Sequence, residues 1–444
     1  MIESFFVKVK KLINLEKDKF VTEKGKFTKN YKMPFEDFIY YIIGNKGKTS
    51  ALELYDYSKV KYKTVLECVK MCVTKQDFSK QRQYIKPEFF KEANRLGIED
   101  VYSSKKHPLE KFYDCFVLNY DGSQVTIPNT AQTRAEFDID LNSLEKADTP
   151  KARISVVSDA KNDFIIDSAI DSLSVGEHEL AYKHIERIDK ILDLKKAINV
   201  FDRYYVSTEL IIQLLSKESY FIFRLKSNTY INERNTMKAD DEWVNIDLYH
   251  NRKQNIKHEE IKAIADKLDF LNLRIVNIPL KTGEIETLLT NIPDEMATSL
   301  ELKNLYGERW QVERCYDVLK NKLHLENFSG KKRITIEQDF YSQILMYNML
   351  IEYKMHCNKE LKENQENNNL KCEYKVNMNI LAGQLKTSLF EMFLAETNDE
   401  REEIQREVLI IAKKNIIKVE KKSPQPRKKK TRKLKYPYNN RKNF

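Results

Sequence analysis

Apolar positions in the first hundred residues recur at three- and four-residue spacing over 33–43, 49–60 and 62–73, the period of helices with one buried face. A further segment over 78–97 has a serine near its start, Pro87 as a restart point and Gly97 as a stop. From residue 112 the pattern shortens to β-branched and aromatic runs at 112–122, 152–159, 164–170, 196–202 and 220–226, bounded by Asp, Asn, Gly or Ser. Such runs predict strands. Helical segments at 176–194 and 207–219 separate them, an order that predicts an α/β domain built on a mixed sheet. Residues 227–296 break this rhythm with polar stretches and two further strands, 273–280 and 284–292, and are expected to form a β-rich insertion. A long helix over 296–326 comes next, then helices at 338–357, 375–396 and 399–418.

Composition narrows the class. No run of 18 apolar residues exists among the 444, so no membrane helix is expected, and the lysine- and acid-interrupted N-terminus does not read as a signal peptide. Six scattered cysteines suit reduced thiols of a cytoplasmic protein. The net charge of +10 belongs to one place: residues 421–444 hold 11 Lys or Arg and no acid, which leaves the body near neutrality. That basic tail is expected to be disordered and suited to polyanions. Lys75, Lys80, Arg82 and Lys86 cluster near the start of the 78–97 segment, so Lys80 and Arg82 are candidate DNA contacts of a helical N-terminal domain.

The chemistry concentrates on the 296–326 helix. Tyr306, Arg309, Glu313 and Lys320 lie at offsets 0, 3, 7 and 14, within a strip about 60° wide at roughly 100° per residue. Leu305, Val312, Tyr316, Leu319 and Leu323 mark a separate apolar stripe. Asp121 and Asp202 each close a strand-like run, Asp121 followed by Gly122-Ser123 as a turn. Ligands in open α/β sheets gather at such strand ends. Two strand-end aspartates and a helix glutamate form an oxygen donor set suited to Mg²⁺ or Mn²⁺. Trp243, in the insertion, is a candidate to stack on a displaced base. Competing motifs are weak. The segment 44–50 ends like a phosphate-binding loop but has Ile42 where its first glycine belongs, Cys68 and Cys72 lack partner ligands, and no histidine accompanies a nucleophile motif.

The spacing Tyr-x2-Arg-x3-Glu-x6-Lys resembles the signature of the bacterial DDE transposases that move insertion sequences by cut and paste, and the likeness extends through YGERWQVERCYDVLKNKLHLENFSG. VLNYDGS around Asp121 and VFDRYY around Asp202 resemble the first and second catalytic aspartate segments, and GEHELA and FIFRLK are similar to further landmarks. The resemblance spans about residues 70–350. It implies an RNase H-like catalytic core over 106–350 with 227–296 as its β-rich insertion, flanked by a helical DNA-binding domain at 1–105, a helical C-terminal region at 351–420 that could dimerise, and the tail at 421–444. It further implies Asp121, Asp202 and Glu313 as metal ligands, Tyr306, Arg309 and Lys320 on DNA phosphates, and cleavage at transposon ends followed by strand transfer. A homodimer on DNA in the bacterial cytoplasm, associated with the nucleoid, is the expected assembly. One departure stands out: Tyr204 occupies the position where the family has glycine, which leaves an inactive, transposase-derived DNA-binding protein as an alternative, beside a standalone RNase H-like nuclease.

Overall fold

The β-branched runs assemble into one eight-stranded mixed sheet in the order β3-β2-β1-β4-β5-β8-β7-β6. This comes from a computed structural model that describes all residues except 1–3, 30–31, 105–106, 139–148, 281–282, 368–371 and 420–444. The basic tail therefore lies outside the described residues. The strands are β1 (Phe116–Thr126), β2 (Lys151–Asp159), β3 (Ile165–Ser172), β4 (Ala197–Phe201), β5 (Tyr220–Arg224), β6 (Asp241–Asp247), β7 (Phe270–Pro279) and β8 (Ile285–Thr290). β1, β4 and β5 run parallel, and the remaining neighbours are antiparallel.

The insertion contributes three strands rather than two. They extend the main sheet, with β8 pairing directly to β5. β6 eluded the sequence reading because its apolar positions, Val244 and Ile246, alternate with exposed polar ones over only seven residues.

Helices α1 (Ser4–Glu16), α2 (Phe35–Ile43), α3 (Ser50–Lys61), α4 (Val65–Met71), α5 (Lys75–Gln81) and α6 (Glu88–Ser103) form the N-terminal part. They share one apolar core with the rest of the chain. Phe5 stacks with Phe164 next to β3, and Phe6 and Tyr40 both meet Phe393. α6 runs through Gly97 to Ser103 instead of stopping there. The glycine serves packing: a Cβ at position 97 would lie 2.1 Å from Phe5 Cδ1.

Next along the chain come α7 (Ala131–Phe137), α8 (Glu177–Ile188) and α9 (Thr208–Ser216). Short helices α10 (Ile231–Thr236), α11 (His250–Lys253) and α12 (Glu259–Ala265) decorate the insertion. α13 (Ser299–Gly307), α14 (Gln311–Asp317), α15 (Arg333–Asn367), α16 (Met378–Leu394) and α17 (Asn398–Lys414) complete the order. Thr298 caps α13 through a reciprocal capping box with Glu301. On the α13 face of the sheet, Val117, Ile198, Val200 and Ile222 pack against Leu302, Leu305 and Tyr306. The other face carries Leu118, Tyr120, Phe201 and Phe223 into the main core.

Candidate active site

Parallel pairing sets the two aspartates side by side. β1 and β4 register as Phe116↔Ala197 through Tyr120↔Phe201, so the next residue on each chain is Asp121 and Asp202. The rings of Tyr120 and Phe201 stack at 4.3 Å on one face. Strand alternation therefore sends both carboxylates to the other, the face covered by α13 and α14. Asp202 does end its strand. Asp121 does not: β1 continues to Thr126 because β2 keeps pairing with it through Gly122↔Ser155 and beyond. Gly122 thus makes no turn. A Cβ there would sit 2.7 Å from Glu177 Cδ, so the glycine admits Glu177 against the strand.

The signature segment runs along this face as α13, a 3-10 turn at Glu308–Trp310, α14 and a π turn at Val318–Lys322. These turns depart from 3.6 residues per turn, so its four polar side chains do not share one environment. Asn119 Nδ2 donates to the Glu308 carbonyl at 3.0 Å, the Tyr316 hydroxyl donates to the Asp121 carbonyl at 2.8 Å, and Lys320 Nζ donates to Ser123 Oγ at 2.7 Å and the Gln124 carbonyl at 2.9 Å. Lys320 is thus a clasp on β1. Leu305, Val312, Tyr316, Leu319 and Leu323 are all buried, as their stripe predicts.

Tyr306 is buried next to the pair, with Asp202 among the charges it feels, and burial pushes its phenol up to about 12. Arg309 Nη2 meets Glu313 Oε1 at 3.7 Å, and Glu313 is half exposed. Burial pushes the Asp121 carboxyl up to about 7. Arg309 pulls it down, while the charges of Glu177 and Asp202 push it further up. Arg309 is therefore the cation placed among these acids. No three His, Cys, Asp or Glu side chains among the described residues stand close enough together to hold a metal ion. Asp121 and Asp202 are adjacent, whereas Glu313 is engaged with Arg309.

Buried polar atoms without hydrogen-bond partners gather here: Asn119 Oδ1, Tyr306 Oη, Glu308 Oε2, Arg309 Nε and Gln311 Oε1. Such orphans are rare in folded proteins, and water, an ion or a bound molecule would supply their missing bonds.

Residues 120–349 match the family described as Transposase DDE domain. The chain belongs to this family. The DDE domain runs from within β1 to about the middle of α15 and contains Asp121, Asp202 and Glu313. A solved piggyBac transposase synaptic complex with hairpin DNA is similar over 93% of this chain and 82% of that one, at 11% identity and a TM-score of 0.43. No curated protein matches the chain.

One sequence expectation is corrected within this DDE protein, and two other singled-out residues are placed by it. Arg82 cannot contact DNA: it is 2% exposed, pairs with Asp339 at 2.9 Å and donates to Gln338 and Ser329. Lys80 beside it is exposed. Trp243 lies on β6, four strand steps from β4, or roughly 19 Å at 4.8 Å per step, and its indole N–H is taken by Asp294 at 3.1 Å. It does not join the acids. Tyr204 keeps a negative φ, since it is not among the residues in the left-handed region, so no strain attaches to a side chain there.

Sequence reasoning missed two features. Glu177, at the start of α8, is held by Arg153 at 2.6 Å beside β1; the acid after Gly176 in GEHELA was its only local signal. A cleft of about 790 Å³ begins at Tyr204 and is lined by His178, Lys226, Tyr230, Arg252 and Lys257 together with the carboxylates Glu179 and Glu209.

Proposed function

We propose that this DDE protein is a transposase that cleaves DNA at the ends of its element and joins the freed end to target DNA, using an RNase H-like core formed by strands β3-β2-β1-β4-β5. The observation that carries this reading is the in-register placement of Asp121 and Asp202 beneath the helix bearing Glu313. The residues fit a divalent ion chemically. They offer hard oxygen donors, and Asp121 is raised to about 7 in part by neighbouring carboxylates, an excess of negative charge that a cation relieves. Mg²⁺ or Mn²⁺ held by Asp121, Asp202 and Glu313 would supply activation of water or a 3′-hydroxyl and stabilisation of the leaving oxygen.

The protein's own groups bind and orient the DNA. Arg309 Nε and the Tyr306 hydroxyl, both buried and unpartnered beside the acids, are the donors that a phosphate would meet once the helix shifts to admit it. Lys320 fixes the helix to β1 and so sets the height of Glu313 above Asp121. Lys226 and Lys257 line the path beyond Asp202 for the strand backbone, with the Tyr204 ring beside them, while Arg252 is held by Glu233 over the Tyr230 ring. A homodimer pairing two element ends is the working assembly. Unstrained Tyr204 favours an active protein over a disabled copy.

Glu313→Gln is the direct test. It should abolish Mg²⁺-dependent cleavage of the element's terminal DNA while leaving circular dichroism and end binding unchanged. Undiminished cleavage by this variant would remove Glu313 from the chemistry.

A further inference from the structure

A second cleft, of about 470 Å³, opens where the N-terminal helices meet the sheet's edge at β3, with β2 between it and β1. Its volume lies in the range of small-ligand sites. The floor is apolar, built from Phe20, Ile166, Ile191, Tyr341 and Ile344.

The charged groups around that floor are unequally matched. Glu16 pairs with Lys19 at 2.9 Å, Glu92 with Arg95 at 2.7 Å, and Asp167 with Arg187 at 2.6 Å. Lys91 and Lys190 also line the cleft, and the ammonium group of neither makes a hydrogen bond or ion pair among the described residues. Glu88 is the single lining carboxylate in the same condition. The Lys91 ammonium sits 5.6 Å over the Tyr341 ring, and burial lowers its pKa. Arg187 commits Nε to Asp167, and its Nη2 lies 3.0 Å from His184 Nδ1. The carboxylates of Asp167, Glu88 and Glu337 act on the half-buried Lys91 ammonium from a distance but none is bonded to it, and a bound anion would complete it.

We propose that this cleft binds a small organic phosphate with a flat apolar body, of nucleoside monophosphate size. Lys91 and Lys190 hold the phosphate, and the ring rests on Tyr341 and the isoleucines. Two separated ammonium groups match a dianion better than a carboxylate, and the floor explains why bare phosphate is insufficient. The site shares no lining residue with the acid pair, so it stands independently of the proposed DNA chemistry.

The test is calorimetric titration of the full chain with adenosine monophosphate, inorganic phosphate and benzoate. Adenosine monophosphate should bind saturably at one per chain, with phosphate and benzoate each at least tenfold weaker. Lys91→Met keeps the buried stem and removes the charge; it should weaken the nucleotide at least tenfold. Lys190→Ala, at the exposed rim, should weaken it severalfold, and Asp121→Asn should leave it unchanged. Three outcomes overturn the proposal: no saturable nucleotide binding at millimolar concentration, benzoate binding as tightly as the nucleotide, or binding that Lys91→Met spares and Asp121→Asn alters.

Discussion

Asp121 is held at a cost to the fold, and that cost can be measured. Its carboxyl titrates at an ordinary 3.8 in the unfolded chain and is pushed to about 7 in the native protein, chiefly by burial. The native state therefore holds this proton more tightly. Stability must fall as pH rises from about 4 to 7 and stay reduced above that. At 1.36 kcal/mol per pH unit, a gap of this size is worth on the order of 4 kcal/mol. Asp121→Asn preserves shape and removes the titration. Urea unfolding in buffers free of divalent cations should show the variant more stable than wild type above pH 7.5, by up to that amount, with the difference shrinking to near zero around pH 4. A variant no more stable at pH 8, or an advantage independent of pH, would refute the account of Asp121 as a desolvated carboxylate among like charges.

Two further outcomes follow from the same contacts. Arg309→Gln removes the main group that lowers the Asp121 pKa; the acidic limb of the cleavage pH–rate profile should move to higher pH, and an unmoved limb would take Arg309 away from Asp121. Arg82→Ala leaves the Asp339 carboxylate, only 10% exposed, without its buried cation, so unfolding should cost about 3–5 kcal/mol less, while the salt dependence of DNA binding measured on folded protein stays as in wild type.

Much of the fold was written in local pattern. The five strands of the first half of the sheet, α8, α9 and the buried stripe Leu305-Val312-Tyr316-Leu319-Leu323 all followed from spacing, because period and burial are the same physical fact in a helix or strand. What escaped depends on partners distant in sequence. Arg82 looked like one more surface cation until Asp339, on a helix from the far half of the chain, met it. Gly97 and Gly122 looked like stop and turn signals, yet each exists to admit a neighbouring side chain, Phe5 or Glu177. The buried chain Asp167–His184–Ser155, bonded at 2.7 and 3.0 Å, was equally invisible. It copies the order of a hydrolase triad, but Ser155 is 2% exposed and its Oγ lies 3.4 Å from the Asp121 carbonyl, so it supports the strand from behind and meets no substrate.

The way the chain leaves β5 and returns at β8 has an evolutionary consequence. All growth between those strands is added outward, at the free margin of the sheet, where lengthening or trimming leaves the β1–β4 alignment undisturbed. A single residue gained or lost within β1 or β4 would instead turn one aspartate to the wrong side. Descendants of this protein should therefore vary freely in the length of the β5–β8 excursion, while those two short strands admit substitutions but no indels.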